Sequence, residues 1–330
     1  MQQKSLLRDL HTPALAANKS GGMLRRRRFP CYGFLVRRSL LLFGWVWSRE
    51  MLLKSLSFVL GVTRRIEKIE TRMRELEALL DDQRRHLQVA TVTDWIGQAA
   101  LRTAPLISVV LPTRDRSALL QRAIASVHGQ TYGCWELLIV DDGSLDGTPA
   151  LLGGIDDARI RSFRGEGRGV CAARNVALAQ ARGELIAYLD DDNIMHPQWL
   201  KSIAWGFEQR PETSVLYGAF MVDDTARIDQ RSRGDLPQLY FWAYDHHAVA
   251  HNNIADIGCI SHRAGLTEGR FDESLREMGD WDLFLRLTRE RPPLALPAVA
   301  CYYTTDAPNR LTRGPTFEAD FAVVRAKNRR

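Results

Sequence analysis

The central and C-terminal parts of the chain alternate short apolar runs with amphipathic stretches. Apolar runs rich in β-branched residues predict strands at 107–111, 136–140, 160–163, 185–189, 215–220 and 298–303. Apolar spacings of three and four residues predict helices at 118–128, 170–181 and 197–209, each bounded by Gly, Pro, Asp or Asn. This order predicts an α/β fold with a mostly parallel sheet that has helices on both faces.

An apolar heptad pattern precedes this α/β region. Its a and d spacing, which Gln83 interrupts, is carried by Ile66, Ile69, Met73, Leu76, Leu80 and Leu87. The pattern predicts a helix within a segment of heptad helix and linker at 63–104. Three arrangements fit it: a homo-oligomer through 66–87, an intramolecular helix, or a stalk between a membrane and the α/β domain.

Residues 29–62 are rich in Leu, Phe and Trp, but charged residues interrupt them. No uncharged run reaches the roughly 18 residues that a membrane-spanning helix needs, so a single-pass anchor is not predicted. On a helical wheel, Glu50 and Lys54 fall opposite most of the leucines. This predicts an amphipathic segment that either lies in a membrane interface or docks on a protein surface.

Charge is distributed unevenly along the chain. The net charge is +6, yet residues 1–65 hold 13 Lys and Arg against two Asp and Glu. Residues 1–28 end in four arginines and are predicted to be a basic disordered leader. The basic segment favours an anionic membrane surface, so the expected location is cytoplasmic and peripheral on the cytoplasmic face of the membrane.

The overall composition narrows the class of protein. With 45% hydrophobic and 25% charged residues, the chain is neither collagen-like nor wholly disordered. The five scattered cysteines form no C-x-x-C pair, which argues against a disulfide framework and favours a reducing compartment. No nucleic-acid recognition fold is visible, so no nucleic-acid partner is expected.

Polar clusters follow three of the predicted strands, at 112–116, 141–144 and 190–193. The carboxyl ends of parallel strands meet at one edge of a sheet, so we expect these clusters to lie close together. Three successive carboxylates, at 190–192, repel one another unless a cation neutralises them, and oxygen ligands favour Mg²⁺ or Mn²⁺. Such an ion commonly also binds phosphate oxygens, so a nucleoside diphosphate is the expected ligand.

Three segments carry a family resemblance: ISVVLPTRDRSALLQRAIASVHGQTYGCWELLIVDDGSLDGT, ARNVALAQARGELIAYLDDDN and FDESLREMGDWDLFLRL. In order and spacing they resemble the motifs of family 2 glycosyltransferases of the GT-A fold. The resemblance implies a GT-A domain at 105–305, followed by a C-terminal tail at 306–330. It also implies transfer of a sugar from a nucleoside diphosphate-sugar to a glycan or lipid-linked acceptor. The processive members' Q-x-x-R-W motif is missing, which implies transfer of one sugar at a time.

The resemblance also assigns roles to residues. The carboxylates at 190–192 match the D-x-D motif of the family, and Asp192 is the expected metal ligand. Asp142 is expected to face the base, where a carboxylate suits the imide N–H of UDP or dTDP. Arg174 has three alternatives: the donor phosphates, the carboxylates of the D-x-D motif, or an ion pair that holds the sheet edge. The expected donor-binding residues are Pro112, Thr113, Arg114, Asp142, Arg174, Asp190 and Asp191.

On the acceptor side, Asp280 in GDWDLFLRL is the expected catalytic base. The alternative for Asp280 is a helix N-cap. The aromatic residues at 240–244 favour an acceptor-binding loop in this region. A zinc site formed by the histidines at 246, 247, 251 and 262 is disfavoured. Inversion at the anomeric carbon is expected from the family. A non-catalytic scaffold or sensor that binds nucleotide-sugars with the same fold is the alternative function.

Overall fold

The computed structural model describes residues 49–223, 238–304 and 316–328. The chain divides into two compact units, Met1–Leu76 and Glu77–Arg330. The predicted leader at 1–28 and most of the amphipathic segment at 29–62 lie outside the described residues, as does the first part of the tail predicted at 306–330.

The heptad pattern lies on one long helix, α1, which spans Arg49–Gln98. Within the second unit, the C-terminal part of α1 packs on the α/β domain through the buried residues Val89, Thr93 and Ile96. Thr93 Oγ1 accepts a hydrogen bond from the Val299 backbone N–H at 3.0 Å, which fixes the helix against the sheet. Among the described helices, none has both the length and the hydropathy that crossing a bilayer requires.

The second unit is built on a nine-stranded sheet. The strands are β1 Ile107–Thr113, β2 Trp135–Asp141, β3 Ile160–Arg164, β4 Leu185–Tyr188, β5 Ile194–Met195, β6 Val215–Asp223, β7 Leu239–Tyr240, β8 Ile260–Arg263 and β9 Leu294–Thr304. Their order is β3-β2-β1-β4-β8-β6-β9-β5, and β7 pairs with β6. The first four strands are parallel, whereas β8 runs antiparallel between β4 and β6. The α/β prediction is confirmed, with a parallel half and a mixed half.

Helices cover the sheet. They are α2 Ser117–His128, α3 Thr148–Gly153, α4 Val170–Gln180, α5 Trp199–Gln209, α6 His246–Val249, α7 Gly279–Leu287 and α8 Phe317–Lys327. Every residue of β1 and β2 is buried, as expected for parallel strands covered on both faces. Their apolar runs end in polar residues at the carboxyl edge, so the chain turns polar where the sheet meets solvent.

Candidate active site

A cavity of about 820 Å³ opens at the carboxyl ends of β1, β2 and β4. These strands are neighbouring parallel strands, so the residues that follow them meet at one edge. All nine site residues predicted from the sequence line this cavity: Pro112, Thr113, Arg114, Asp142, Arg174, Asp190, Asp191, Asp192 and Asp280.

The loop after β1 is joined to the loop after β2. Asp115 adopts a left-handed backbone with φ of 52°, which is uncommon for a residue other than glycine. Its backbone N–H donates to Ser144 Oγ at 2.8 Å, and its Oδ1 accepts from the Leu145 N–H at 2.6 Å. These bonds hold the left-handed turn, which leaves the Arg114 side chain 56% exposed at the edge of the cavity.

Asp142 accepts two hydrogen bonds from the glycine-rich loop that connects β3 to α4. Its Oδ1 accepts from the Gly167 N–H at 2.9 Å, and its Oδ2 accepts from the Gly169 N–H at 2.7 Å. Both glycines have positive φ, 73° and 103°, a conformation that side chains disfavour. A carboxylate oxygen can accept more than one hydrogen bond, so Asp142 keeps acceptor capacity toward the cavity.

Arg174 on α4 contacts the first carboxylate of the D-x-D motif. Its Nη2 lies 2.6 Å from Asp190 Oδ1, and its guanidinium carbon lies 5.1 Å from the centre of the Phe271 ring. Arg174 is only 5% exposed. The contact with Asp190 agrees with two of the three alternatives from the sequence, since it is both a contact with a D-x-D carboxylate and an ion pair at the sheet edge. A role of Arg174 toward the donor phosphates stays a prediction.

Arg116 bridges the other two carboxylates of the motif. Its Nη1 lies 2.9 Å from Asp191 Oδ1 and 3.1 Å from Asp192 Oδ2. Asp191 Oδ2 also accepts from Thr113 Oγ1 at 2.8 Å. Burial raises the pKa of Asp191, although Arg116 and Thr113 oppose that rise. The sequence placed Arg116 in the polar cluster after β1 but gave no reason to pair it with the carboxylates after β4.

Asp256 is a further carboxylate of the site that the sequence did not predict. It lies just before β8 and lines the same cavity. Burial, followed by the charges of Asp190 and Asp280, raises its pKa to about 8. No strand was predicted at 260–263, so nothing in the sequence placed this carboxylate at the sheet edge.

Asp280 is the second residue of α7. Its Oδ2 accepts from Asn253 Nδ2 at 3.0 Å, and its Oδ1 accepts from the Trp281 N–H at 2.7 Å. Burial raises its pKa, and the Arg174 guanidinium opposes that rise. Met278 occupies the N-cap position, so Asp280 lies within the helix and does not cap it.

The C-terminal helix α8 holds the segment that leads into Asp280. Asp320 Oδ2 on α8 accepts from the backbone N–H groups of Arg276 and Glu277, each at 2.7 Å. Glu277 Oε1 accepts from Thr316 Oγ1 at 2.6 Å, which gives Glu277 a structural contact. The ring of Phe321 stacks on Trp281 at 5.0 Å between centres. Part of the predicted tail is therefore a packed helix that supports the segment leading into Asp280.

Aromatic side chains form one wall of the cavity. Phe220, Tyr240, Trp242 and Tyr303 line it, and the Phe220 and Tyr240 rings stack at 4.8 Å. The histidines at 246, 247, 251 and 262 belong to no metal-ligand cluster in the described part of the chain. His262 is instead buried against Tyr188, whose hydroxyl lies 2.7 Å from His262 Nε2.

The donor set of the cavity suits a hard divalent cation. The cavity is lined by the three carboxylates at 190–192 and also by those of Asp256 and Asp280. Two arginines, Arg116 and Arg174, form ion pairs with the D-x-D motif. Burial first, and then the charges of Asp190 and Asp280, raise the pKa of Asp256, so the carboxylates of the site repel one another. Oxygen-rich, carboxylate-based sites of this kind fit Mg²⁺ or Mn²⁺.

Comparison with known proteins identifies the family. The model of Glycosyl transferase family 2 matches residues 108–261. WcaA of Escherichia coli strain K12, a candidate colanic acid biosynthesis glycosyl transferase, is 31% identical over 193 residues, which cover 58% of this chain and 68% of WcaA. A second Escherichia coli protein, the UDP-Glc:alpha-D-GlcNAc-diphosphoundecaprenol beta-1,3-glucosyltransferase WfgD, is 40% identical over 90 residues, or 27% of this chain and 36% of WfgD.

The fold has a counterpart among solved structures. The crystal structure of S. aureus TarS 1–349 in complex with UDP-GlcNAc superposes with a TM-score of 0.54 at 20% identity. The match covers 66% of this chain and 64% of that TarS chain, so the shared part is about two thirds of each. The motifs at one sheet edge, the family model and the relatives agree: this chain belongs to glycosyl transferase family 2 and has the GT-A fold.

Proposed function

We propose that this chain transfers one sugar per reaction from a nucleoside diphosphate-sugar to a glycan or lipid-linked acceptor, in the synthesis of cell-surface polysaccharide or glycoconjugates. The observation that carries the proposal is the cavity in which the D-x-D carboxylates, Arg174 and Asp280 meet. The relatives support it: WcaA is named for colanic acid biosynthesis, and the name of WfgD specifies a UDP-sugar donor and a diphosphoundecaprenol-linked acceptor.

The donor base is proposed to meet Asp142. Its carboxylate already holds the Gly167 and Gly169 amides and has acceptor capacity left for an imide N–H. A uracil or thymine ring offers that donor, whereas a cytosine ring does not, so UDP or dTDP is favoured. Pro112, Thr113 and Arg114 line the same cavity and are proposed to bind the donor together with Asp142.

The diphosphate is proposed to lie beside the D-x-D motif. Asp192 would hold Mg²⁺ or Mn²⁺, and Asp190 and Asp191 would face the ribose and the sugar. When bound, the cation supplies positive charge that stabilises the diphosphate as a leaving group. Arg116 and Arg174 hold the carboxylates in place, because each makes an ion pair with the motif.

The acceptor is proposed to enter between Asp280 and the aromatic wall. Asp280 takes the proton from the attacking hydroxyl, and its raised pKa makes its carboxylate a stronger base. The hydrogen bond from Asn253 keeps the carboxylate oriented. A single base with attack opposite the leaving diphosphate gives inversion at the anomeric carbon.

The test combines binding with turnover. Thermal unfolding of the full chain is measured with UDP, dTDP, GDP and CDP, each with and without Mn²⁺, because a ligand that binds the folded state raises its Tm. We expect UDP or dTDP to raise the Tm only with the metal. Hydrolysis of the matching nucleotide-sugar is then followed. Binding without hydrolysis or transfer would support the scaffold alternative, and no shift with any nucleotide would overturn the proposal.

A peripheral location on the cytoplasmic membrane face is proposed from the basic charge of residues 1–65. The test is flotation of the full chain with anionic and with neutral vesicles at low and high salt. We expect flotation only with anionic vesicles and at low salt. A chain that stays at the bottom of the gradient under every condition would overturn this location.

A further inference from the structure

An uninterrupted apolar repeat runs along α1 from Val59 to Leu80. The spacing alternates three and four residues without a break, which is the heptad pattern of a coiled coil. The a positions are Val59, Ile66, Met73 and Leu80, and the d positions are Val62, Ile69 and Leu76. In the single chain each of these seven side chains is between 40% and 60% exposed. We call this stripe the apolar seam.

The apolar seam is a different face of α1 from the one that packs on the α/β domain. Val89 and Ile96, which pack there, are 1% and 0% exposed. Leu87 continues the a positions of the seam one heptad past Leu80, yet it is 68% exposed. Within the second unit, Leu80 and Leu87 of this heptad pattern are therefore left uncovered.

Charged residues beside the seam indicate its partner. Arg65 and Arg72 occupy g positions, and Glu70 and Glu77 occupy e positions. In a parallel, in-register pair, each g residue faces the e residue of the next heptad on the other chain. Arg65 then faces Glu70 of the second copy, and Arg72 faces Glu77. Because the two copies are equivalent, each contact occurs twice, and all four contacts place an arginine against a glutamate.

Other occupants fit the same residues less well. In an antiparallel pair of copies, g faces g and e faces e, which would place Arg against Arg and Glu against Glu. An anionic lipid surface would gain little from charge, because residues 59–80 hold four acidic and five basic side chains and are close to neutral overall. Pairs of identical chains are the commonest closed homo-oligomers, which favours two strands.

We propose that residues 59–80 form a parallel two-stranded coiled coil with a second copy of this chain. The proposal is independent of the reaction at the cavity, since the residues of the seam do not line it. The seam covers about three heptads, roughly 33 Å of helix at 1.5 Å per residue.

The mass of the full chain in solution tests the proposal. Sedimentation equilibrium should give about twice the 37.4 kDa of one chain. The double variant R65E/R72E makes every e and g charge of the seam negative, and E70R/E77R makes every one positive. We expect each variant alone to sediment as a monomer, and an equimolar mixture of the two to recover the dimer mass.

A matched control separates seam charge from total charge. Arg64 and Arg74 lie at f and b positions of the same helix, away from the a, d, e and g positions. The variant R64E/R74E changes the net charge as much as R65E/R72E does, and it should remain a dimer. Circular dichroism of every variant checks that the α/β domain is folded.

Orientation needs a separate measurement. In a parallel pair in register, residue 73 of one copy lies beside residue 73 of the other. The variant Met73→Cys should therefore give a disulfide-linked dimer on mild oxidation, above any background that the native cysteines give in the wild-type chain. A monomeric wild-type chain, a dimer unaffected by R65E/R72E, or no cross-link above the wild-type background would each overturn the proposal.

Discussion

Arg174 Nη2 lies 2.6 Å from Asp190 Oδ1, and this ion pair joins α4 to the carboxyl end of β4. Within the described part of the chain, Arg174 Nε is buried and has no hydrogen-bond partner. The positive charge of this buried guanidinium is therefore balanced mainly by Asp190, because little water reaches it. A buried ion pair of this kind is costly to break on one side only.

Removing Arg174 alone should destabilise the protein strongly. We expect Arg174→Met to lower the free energy of unfolding by about 3 kcal/mol, because it leaves Asp190 without its partner. In the Arg174→Met background, Asp190→Asn should restore part of that loss. Urea unfolding of the two single variants and the double variant measures the coupling. Arg84→Met, which removes an arginine from an exposed ion pair, should change stability by less than about 1 kcal/mol.

Substitution of Asp192 should separate metal binding from folding. We expect Asp192→Asn to abolish the Mn²⁺-dependent part of UDP affinity while the Tm of the free protein changes little, because a neutral amide is a poor ligand for a hard cation. Calorimetric titration of UDP with and without Mn²⁺ measures this. Asp156→Asn, an exposed substitution outside the cavity, serves as the control and should bind as the wild type does. Unchanged affinity in Asp192→Asn would remove this residue from the metal site.

Substitution of Asp280 should affect chemistry more than donor binding. We expect Asp280→Asn to lower kcat at least about a hundredfold, since general-base catalysis commonly contributes that much. Donor affinity should change little, because the base acts on the acceptor hydroxyl. Hydrolysis of the nucleotide-sugar gives a first measurement, and transfer to an acceptor found among lipid-linked sugars gives the second. Transfer at the wild-type rate would exclude Asp280 as the base, whatever the hydrolysis rate.

The buried His262 should make stability depend on pH. Burial lowers its pKa to about 4, from an ordinary value near 6.5. Between these values the unfolded chain binds a proton that the folded chain does not, so stability falls as the pH falls through that window. The contribution is about 3 kcal/mol at most. Unfolding free energies at pH 7, 5.5 and 4 should fall less steeply in His262→Gln, and equal slopes would contradict this explanation.

The neutral form of His262 follows from its two contacts. Nδ1 lies 2.8 Å from the carbonyl oxygen of Arg263, so it must carry the proton and donate it. Nε2 then accepts from the Tyr188 hydroxyl at 2.7 Å. Both ring nitrogens have partners without a charge, whereas a second proton would place a cation in a site that is 2% exposed.

The elements that could be predicted from the sequence are those whose own residues show a hydrophobic pattern. β1 and β2 are continuous apolar runs that end in polar residues, and their predicted spans agree with the structure to within two residues at each end. β5 and β7 have two residues each, too few for any periodicity. β8 reads Ile-Ser-His-Arg, and its pairing with β4 and β6, which are distant in sequence, makes it a strand.

The same distinction applies to the site. Most of the predicted residues lie at the carboxyl ends of β1, β2 and β4, so the rule for parallel sheets was enough to bring those together. Arg174 and Asp280 lie on α4 and α7, and their motifs came from the family resemblance. Asp256 comes before a strand with no sequence signal, and Arg116 owes its role to carboxylates some 75 positions away. The support that α8 gives to Arg276 and Glu277 depends on Asp320, whose partner atoms are backbone groups. Backbone partners leave no trace in the residue types of the sequence.

The contact between α8 and α7 determines when the two halves of the site become complete during synthesis. The D-x-D half lies more than 120 residues before Phe317, whereas the segment leading into Asp280 is held by Asp320 and covered by Phe321. A chain still emerging from the ribosome, or one cut before Phe317, would have the strands that carry the D-x-D motif but not the contacts that hold the segment leading into Asp280. The segment that carries Asp280 is therefore secured only after α8, more than 30 residues further along the chain, has been made.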